Sequence, residues 1–285
     1  MNPSNTLNAG PLLRAVYVLL ITCTALSAMP RRAGAQIYVS QNDTGIVSEY
    51  DTKTGELINL NFITGLNMPT ELVLSGDILF VANIGGSVGK YDAKTGAAIN
   101  PSFITGTDFQ PSGLALSGEN LFVANADLGV VGKYNARTGT PIDVSFVTGL
   151  QPMQVFGVGA LGDSLFVAFT NGFDFFKYNA KTGKLLGSLP VRGSYGVAFL
   201  GDKVFVGSIN TDTIAEYNAN TGKLINANFV TDVNTPYQIT VVNDKLYVAN
   251  GDSGTLRVYH AKTGSLINAA FISGLAFPIG VAVRR

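Results

Sequence analysis

The chain has one cysteine (Cys23), one histidine (His260) and no tryptophan. These scarcities exclude most site chemistries. No Cys/His cluster can be assembled for zinc, and no disulfide can form within the chain. There is no histidine cluster and no Ser-His-Asp set. His260 falls in a turn, where it reads as a solvated residue. Phosphate loops are also missing. Gly85-Gly86-Ser87 is not followed by a helical segment, so it reads as a hairpin turn. No basic run marks a nucleic-acid footprint.

What is present is a repeat. Tyr-(Asp/Asn/His)-x-(Lys/Arg/Asn)-Thr-Gly occurs six times, at Tyr50, Tyr91, Tyr134, Tyr178, Tyr217 and Tyr259. Successive tyrosines are 41, 43, 44, 39 and 42 residues apart. A fixed period of that length marks a propeller or solenoid, and leucine-rich solenoids have shorter repeats. The copy from Pro69 holds four short runs rich in Val, Ile, Leu, Phe and Tyr, bounded by Gly, Pro, Asn, Asp and Ser. That is the pattern of strands and turns, and no run shows helical period. We name the strands a, b, c and d. The c–d link Asp92-Ala93-Lys94-Thr95-Gly96 fits a type I turn closed by a glycine with positive φ. Four antiparallel strands per repeat are one blade of a propeller.

Residues 1–35 stand outside the repeats. Arg14 precedes an apolar run from Ala15 to Ala28, and Ala33-Gly34-Ala35 follows. This is the pattern of a secretory signal peptide cut after Ala35, leaving Gln36 first. The run is shorter than the ~20 residues a span needs, so no membrane span is expected after cleavage. Cys23 follows Leu20-Ile21-Thr22, a poor site for lipidation. Without Arg14, Arg31 and Arg32, 16 of the 19 Lys and Arg remain against 19 Asp and Glu, a net charge of −3. A secreted or periplasmic, monomeric protein with no nucleic-acid partner is the expectation.

Residues 36–285 start with strand b (Ile37-Tyr38-Val39-Ser40) and end with an unpaired strand a (Ile279 to Val283). If that last a strand joins the first b, c and d, an all-β six-bladed propeller closes with blade 1 built from both ends. Closure leaves no bare blade edge between the ends, and bare edges invite aggregation.

The Leu-Phe-Val-Ala-Asn … Gly-Lys-Tyr-(Asp/Asn) … Thr-Gly … Pro-x-Gly-Leu-Ala-Leu pattern resembles bacterial NHL-type and YVTN-type propeller repeats over residues 37–283. It departs from that class where Asn or another residue replaces the Asp after the Val-Ala pair. Six-bladed relatives of this type include non-enzymatic binding modules and calcium-dependent lactonases of the gluconolactonase type. The resemblance therefore implies a propeller fold, with either binding or a calcium-assisted hydrolysis.

In such a meander the d–a and b–c loops share one face around the channel, and variable loops on a repeated scaffold carry function. At the start of strand a the copies read Glu71, Gly113, Gly157, Gly196, Gln238 and Gly280. At the end of strand b they read Gln41, Asn83, Asn125, Phe169, Ser208 and Asn250. Glu71 and Gln238 depart from glycine, on the two blades flanking blade 1. With Gln41, Asn83 and Asn250 they define an expected polar sector at the mouth. Met153, Phe156, Phe169, Phe173 and Tyr195 define an apolar one. The first reading is a non-catalytic module binding a small molecule, glycan or protein there, without cofactor. The alternative is the lactonase, with Glu71 as the acidic ligand of calcium, an ion that takes about six to eight oxygens. The c-strand tyrosines read as packing between blades. The c-strand position Glu49, Lys90, Lys133, Lys177, Glu216 and Val258 suggests surface pairs such as Lys177 with Glu216.

Overall fold

The computed structural model describes residues 34–106, 108–170 and 175–285. Residues 1–33 of the expected signal segment, Cys23 included, and Phe173 lie outside the described residues.

The described residues form six four-stranded antiparallel sheets and no helix. Blade 1 holds β1 (Gln36–Gln41), β2 (Ile46–Asp51) and β3 (Leu57–Ile63). Blade 2 is β4 (Pro69–Ser75), β5 (Ile78–Asn83), β6 (Ser87–Asp92) and β7 (Ala98–Thr105). Blade 3 is β8 (Pro111–Ser117), β9 (Asn120–Asn125), β10 (Val130–Asn135) and β11 (Pro141–Val147). Blade 4 is β12 (Val155–Leu161), β13 (Ser164–Phe169), β14 (Phe175–Asn179) and β15 (Leu185–Leu189). Blade 5 is β16 (Ser194–Leu200), β17 (Lys203–Ser208), β18 (Thr213–Asn218) and β19 (Leu224–Val230). Blade 6 is β20 (Pro236–Val242), β21 (Lys245–Asn250), β22 (Thr255–His260) and β23 (Leu266–Ile272). The last strand, β24 (Pro278–Arg284), completes blade 1 in the order β24-β1-β2-β3. Ile37 pairs with Val283, and Val39 with Val281, so the ring closes as its pattern foretold.

The sheets stay separate and meet through side chains. Six apolar clusters lie one between each pair of neighbouring blades. Tyr38 and Phe62 of blade 1, for example, pack with Leu72, Leu79 and Tyr91 of blade 2. A fully buried Phe or Leu contributes about 1.5–3 kcal/mol, so the repeated strand-b residues Phe80, Phe122, Phe166 and Phe205, all buried, supply much of the adhesion. The six c-strand tyrosines are buried in these seams.

The c–d turn is a second join. Asp92 Oδ1 accepts from Lys94 N at 2.8 Å and Thr95 N at 2.8 Å, and Gly96 N donates to Asp92 O at 2.8 Å. Gly96 has φ 75°, and a Cβ there would collide with the Phe62 carbonyl oxygen of the blade before. The same close approach to the outer strand of the blade before recurs at Gly55, Gly139, Gly183 and Gly264, but not at Gly222. The c-strand lysines reach the same turns: Lys90 Nζ donates to Arg137 O at 2.9 Å and Lys177 Nζ to Ala219 O at 2.8 Å. Glu216 pairs with Lys203 rather than with Lys177. Lys203 lies diagonal to Glu216 on the adjacent strand of the same blade, while Lys177 is drawn to a carbonyl of the blade-5 turn.

Candidate functional site

The innermost strand of each blade turns its edge, not a face, toward the channel. Its side chains go sideways into the gaps between blades. At the third position of these strands neighbouring backbones nearly touch: a Cβ at Gly113, Gly157, Gly196 or Gly280 would collide with the carbonyl oxygen of Phe156, Tyr195, Tyr237 or Thr70. Glycine is therefore the default there. Glu71 and Gln238 carry side chains at this position, and both run along the open edges of their neighbours.

Gln238 Oε1 accepts from Val281 N at 2.7 Å and Leu72 N at 3.2 Å, and its Nε2 donates to Leu72 O at 2.9 Å. Glu71 Oε2 accepts from Leu114 N at 2.6 Å, and the Val158 amide also donates to the carboxylate. One amide and one carboxyl group thus answer edge groups of blades 1, 2, 3 and 4. Glu71 is 3% exposed, and burial holds its carboxyl well above the usual carboxylate range, with the Leu114 and Val158 amides opposing. Tyr195 lies close enough for the Glu71 charge to matter. Its phenol is pushed well up by burial first, then by Glu71 and Tyr237.

A cavity of about 250 Å³ starts at Glu71 and Gln238 and runs down the channel to Leu116, Ala160, Phe199 and Val241, near the a–b hairpins. The residues of the d–a and b–c loops do not line it. On that other side an arc of aromatic contacts spans blades 4, 5, 6 and 1. Phe156 stacks on Tyr195 at 5.4 Å, Tyr195 meets Tyr237 edge-on at 4.8 Å, and Tyr237 meets Phe277 at 5.4 Å. Ser40 Oγ of β1 donates to Thr70 O of blade 2 at 2.6 Å and Ser112 Oγ of blade 3 to Val155 O of blade 4 at 2.9 Å, tying neighbouring blades.

The strand-b ends serve the d–a loops. Gln41 Oε1 accepts from Ala276 N at 2.8 Å, and Asn250 Oδ1 from Asn234 N at 3.0 Å. Asn125, at the same place in blade 3, accepts from Gln110 N at 3.0 Å. Asn83 donates to Val81 O at 3.4 Å, while its buried Oδ1 has no partner. Phe169 is buried against Phe176 in an edge-on contact at 5.3 Å. The structure thus brings Glu71, Gln238 and Tyr195 together in the channel and leaves Gln41, Asn83, Asn250 and Phe169 outside the cavity lining. Met153 is 56% exposed on its loop. Tyr237 and Phe277 escaped the sequence reading. The second position of strand a, which reads Thr70, Ser112, Phe156, Tyr195, Tyr237 and Ile279, carried the signal for Tyr237.

The oxygens here do not make a calcium site as they stand. Glu71 is the one acid lining the cavity, its Oε2 is taken by an amide, and Gln238 Oε1 is taken by two. Calcium asks for about six to eight oxygens, usually with several carboxylates. Among the described residues no group of three or more His, Cys, Asp or Glu is placed to hold an ion.

A family model described as PQQ_2, outer membrane protein assembly factor BamB, matches residues 129–273, just over half of the 285 residues. The chain belongs to this family. No curated protein matches it. The chain's propeller architecture recurs in solved structures at low identity. A chain of a nidogen/laminin complex has a TM-score of 0.72 at 14% identity, over 88% of this chain and 99% of that one. A computationally designed protein, Ika8, has a TM-score of 0.54 at 19% identity, over 81% of this chain and 70% of that one. At such identities the likeness concerns the fold alone.

Proposed function

We propose that the chain is an exported, non-catalytic binding propeller that docks a partner protein through the face carrying its d–a and b–c loops. One observation carries this reading. On that face an arc of aromatic contacts, Phe156–Tyr195–Tyr237–Phe277, runs across blades 4, 5, 6 and 1, with Phe156, Tyr237 and Phe277 half-buried. Among the described residues, Met68, Leu128 and Met153, in loops of blades 2, 3 and 4, are the large apolar side chains exposed outside the outer blade strands. Exposed apolar groups beside an aromatic arc suit protein contact, with Met and aromatics as the anchors interfaces favour. The family description, an assembly factor of the outer membrane, supports a role in the cell envelope exercised through protein contacts. The expected signal segment ending at Ala35 and the NHL-like repeat pattern belong to the same reading. The lactonase alternative gains nothing from this geometry, because the single channel carboxyl group is occupied by backbone amides.

The test is site-specific photocrosslinking in the native host. A crosslinker at Met153 or Leu128 is expected to give one discrete adduct, and one at Asp202, on an a–b hairpin, none. Leu128→Glu in the Met153-labelled chain should abolish the adduct. No adduct, or the same adduct from both faces, overturns the proposal. N-terminal sequencing of the exported protein checks the leader, with Gln36 expected first.

A further inference from the structure

At the inner end of the channel cavity the Glu71 carboxyl group faces a space lined by no lysine, arginine or histidine. Its donors, the Leu114 and Val158 amides, are neutral dipoles and do not balance a full charge. The titratable groups beside it are Tyr195 and, beyond that, Tyr237, and both could add only negative charge. The site therefore has a buried acid, room in front of it, and no cation of its own.

The rest of the lining narrows what could enter. At about 250 Å³ the cavity falls below the ~300–1,000 Å³ of pockets for drug-sized ligands. Edge groups of the inner strands face it: Gln238 reaches both Leu72 N and Leu72 O from inside the channel. Val158, Val197 and Ile239 hold the same strand position and also line the cavity. By that shared position their backbone groups belong to the same channel-facing edges as those of Leu72, whose N and O Gln238 engages. Further out come the apolar side chains Leu116, Phe199 and Val241. A buried acid without a cation, set among polar inner-strand edges and with Leu116, Phe199 and Val241 further along, fits one chemistry.

We propose that this cavity binds an aliphatic primary ammonium group, that of a small alkylamine or of a lysine-like side chain. The nitrogen sits against Glu71, and the methylenes lie along Leu116, Phe199 and Val241. An ammonium has three donors and no acceptor. One meets the carboxylate and the others meet strand carbonyls. The site is separate from the docking face and does not rest on that reading. Burial favours the neutral acid before binding. Binding therefore moves the Glu71 proton to solvent and leaves a carboxylate–ammonium pair. Affinity should rise with pH until the amine itself deprotonates, near ~10.

The experiment is calorimetric titration of the full chain with n-butylammonium chloride. One saturable site is expected, with proton release detected by comparing buffers of different ionisation enthalpy. Affinity should fall roughly tenfold or more in Glu71→Gln, since a buried charge pair is lost. It should fall as far in Ala160→Leu, which narrows the cavity and leaves the acid in place. Should Glu71→Gln fail to fold, Ala160→Leu decides alone. n-Butanol and tetramethylammonium, lacking the charge or the N–H donors, should not bind. The proposal is overturned by no binding to the parent chain or by undiminished binding to either variant. Calcium held at the site and not displaced by n-butylammonium overturns it as well.

Discussion

Gln238 and Leu72 stand 166 residues apart in sequence and join across the channel by two hydrogen bonds, Leu72 N to Oε1 at 3.2 Å and Nε2 to Leu72 O at 2.9 Å. Gln238 belongs to blade 6 and Leu72 to blade 2, so this contact bridges over blade 1. The same Oε1 takes the Val281 amide of blade 1 at 2.7 Å. One side chain thus ties three blades at the point where the ring closes.

Gln238→Ala removes all three bonds and leaves three buried backbone groups without this partner. Each such loss costs about 1–3 kcal/mol, less where water from the cavity takes the place. A total of about 2–4 kcal/mol is expected in urea unfolding. A change within experimental error would mean that the side chain is not engaged in solution.

Glu71 gives a pH dependence of defined sign. Its folded pKa is raised, chiefly by burial, so the folded chain holds a proton that the unfolded chain releases above about 4.3. The stability tied to that proton is complete below the unfolded value. It is lost as pH rises through the folded one. Glu71→Gln, which resembles the neutral acid, should lose less stability than the parent chain between mildly acidic and mildly alkaline buffer. Parallel stability curves for the two proteins would contradict it.

Gly96 and Gly76 separate two kinds of strain. Both have positive φ, 75° and 58°. A Cβ at Gly76 would meet open space, whereas one at Gly96 would strike the Phe62 carbonyl of the blade before. Gly76→Ala is expected to cost about 1 kcal/mol, the backbone penalty alone. Gly96→Ala should cost at least about twice that, because the turn must also lift off the neighbouring strand. Equal penalties would show that the turns do not press on the blade before.

Removal of residues 279–285 strips β24 from β1. Buried Ile279, Val281 and Ala282 go with it, and so does the Gly280 amide that donates to Ser40 Oγ at 2.7 Å. A fall of roughly 10 °C or more in unfolding temperature is expected, together with association through the bared edge. Calorimetry and light scattering would read both. An unchanged, monodisperse protein would mean that the ring is held elsewhere.

The architecture was legible because each blade repeats local chemistry. The turn needs its positive-φ glycine whatever surrounds it, and five of the six copies add an Asp or Asn acceptor where the sixth has His260, so six Thr-Gly turns announced six blades. The phase shift between the ends announced β24 beside β1. The channel was less legible. Departures from glycine marked Glu71 and Gln238, but an innermost strand shows its edge to the channel. A side chain at that position therefore answers backbone groups of other blades rather than a solvent-facing rim. Those partners are far off in sequence and carry no side-chain signature. Asn250 and Gln41 are similar: the amides they accept from belong to d–a loops whose path no pattern dictates. Lys177 was read against Glu216, yet the nearest acceptor is the Ala219 carbonyl, again a backbone group.

Blade 1 also sets a timetable for synthesis. The Ser40–Gly280 contact spans 240 residues. A ribosome adding ~5–20 residues per second needs on the order of 10–50 s to cover that interval. Throughout it β1 has left the ribosome with its inner side bare, while blades 2 to 6 can complete themselves one by one. The earliest strand to emerge is thus among the last to be satisfied. A nascent chain carries an adhesive flank that either waits, is shielded by another protein, or pairs with the same flank of a neighbouring chain.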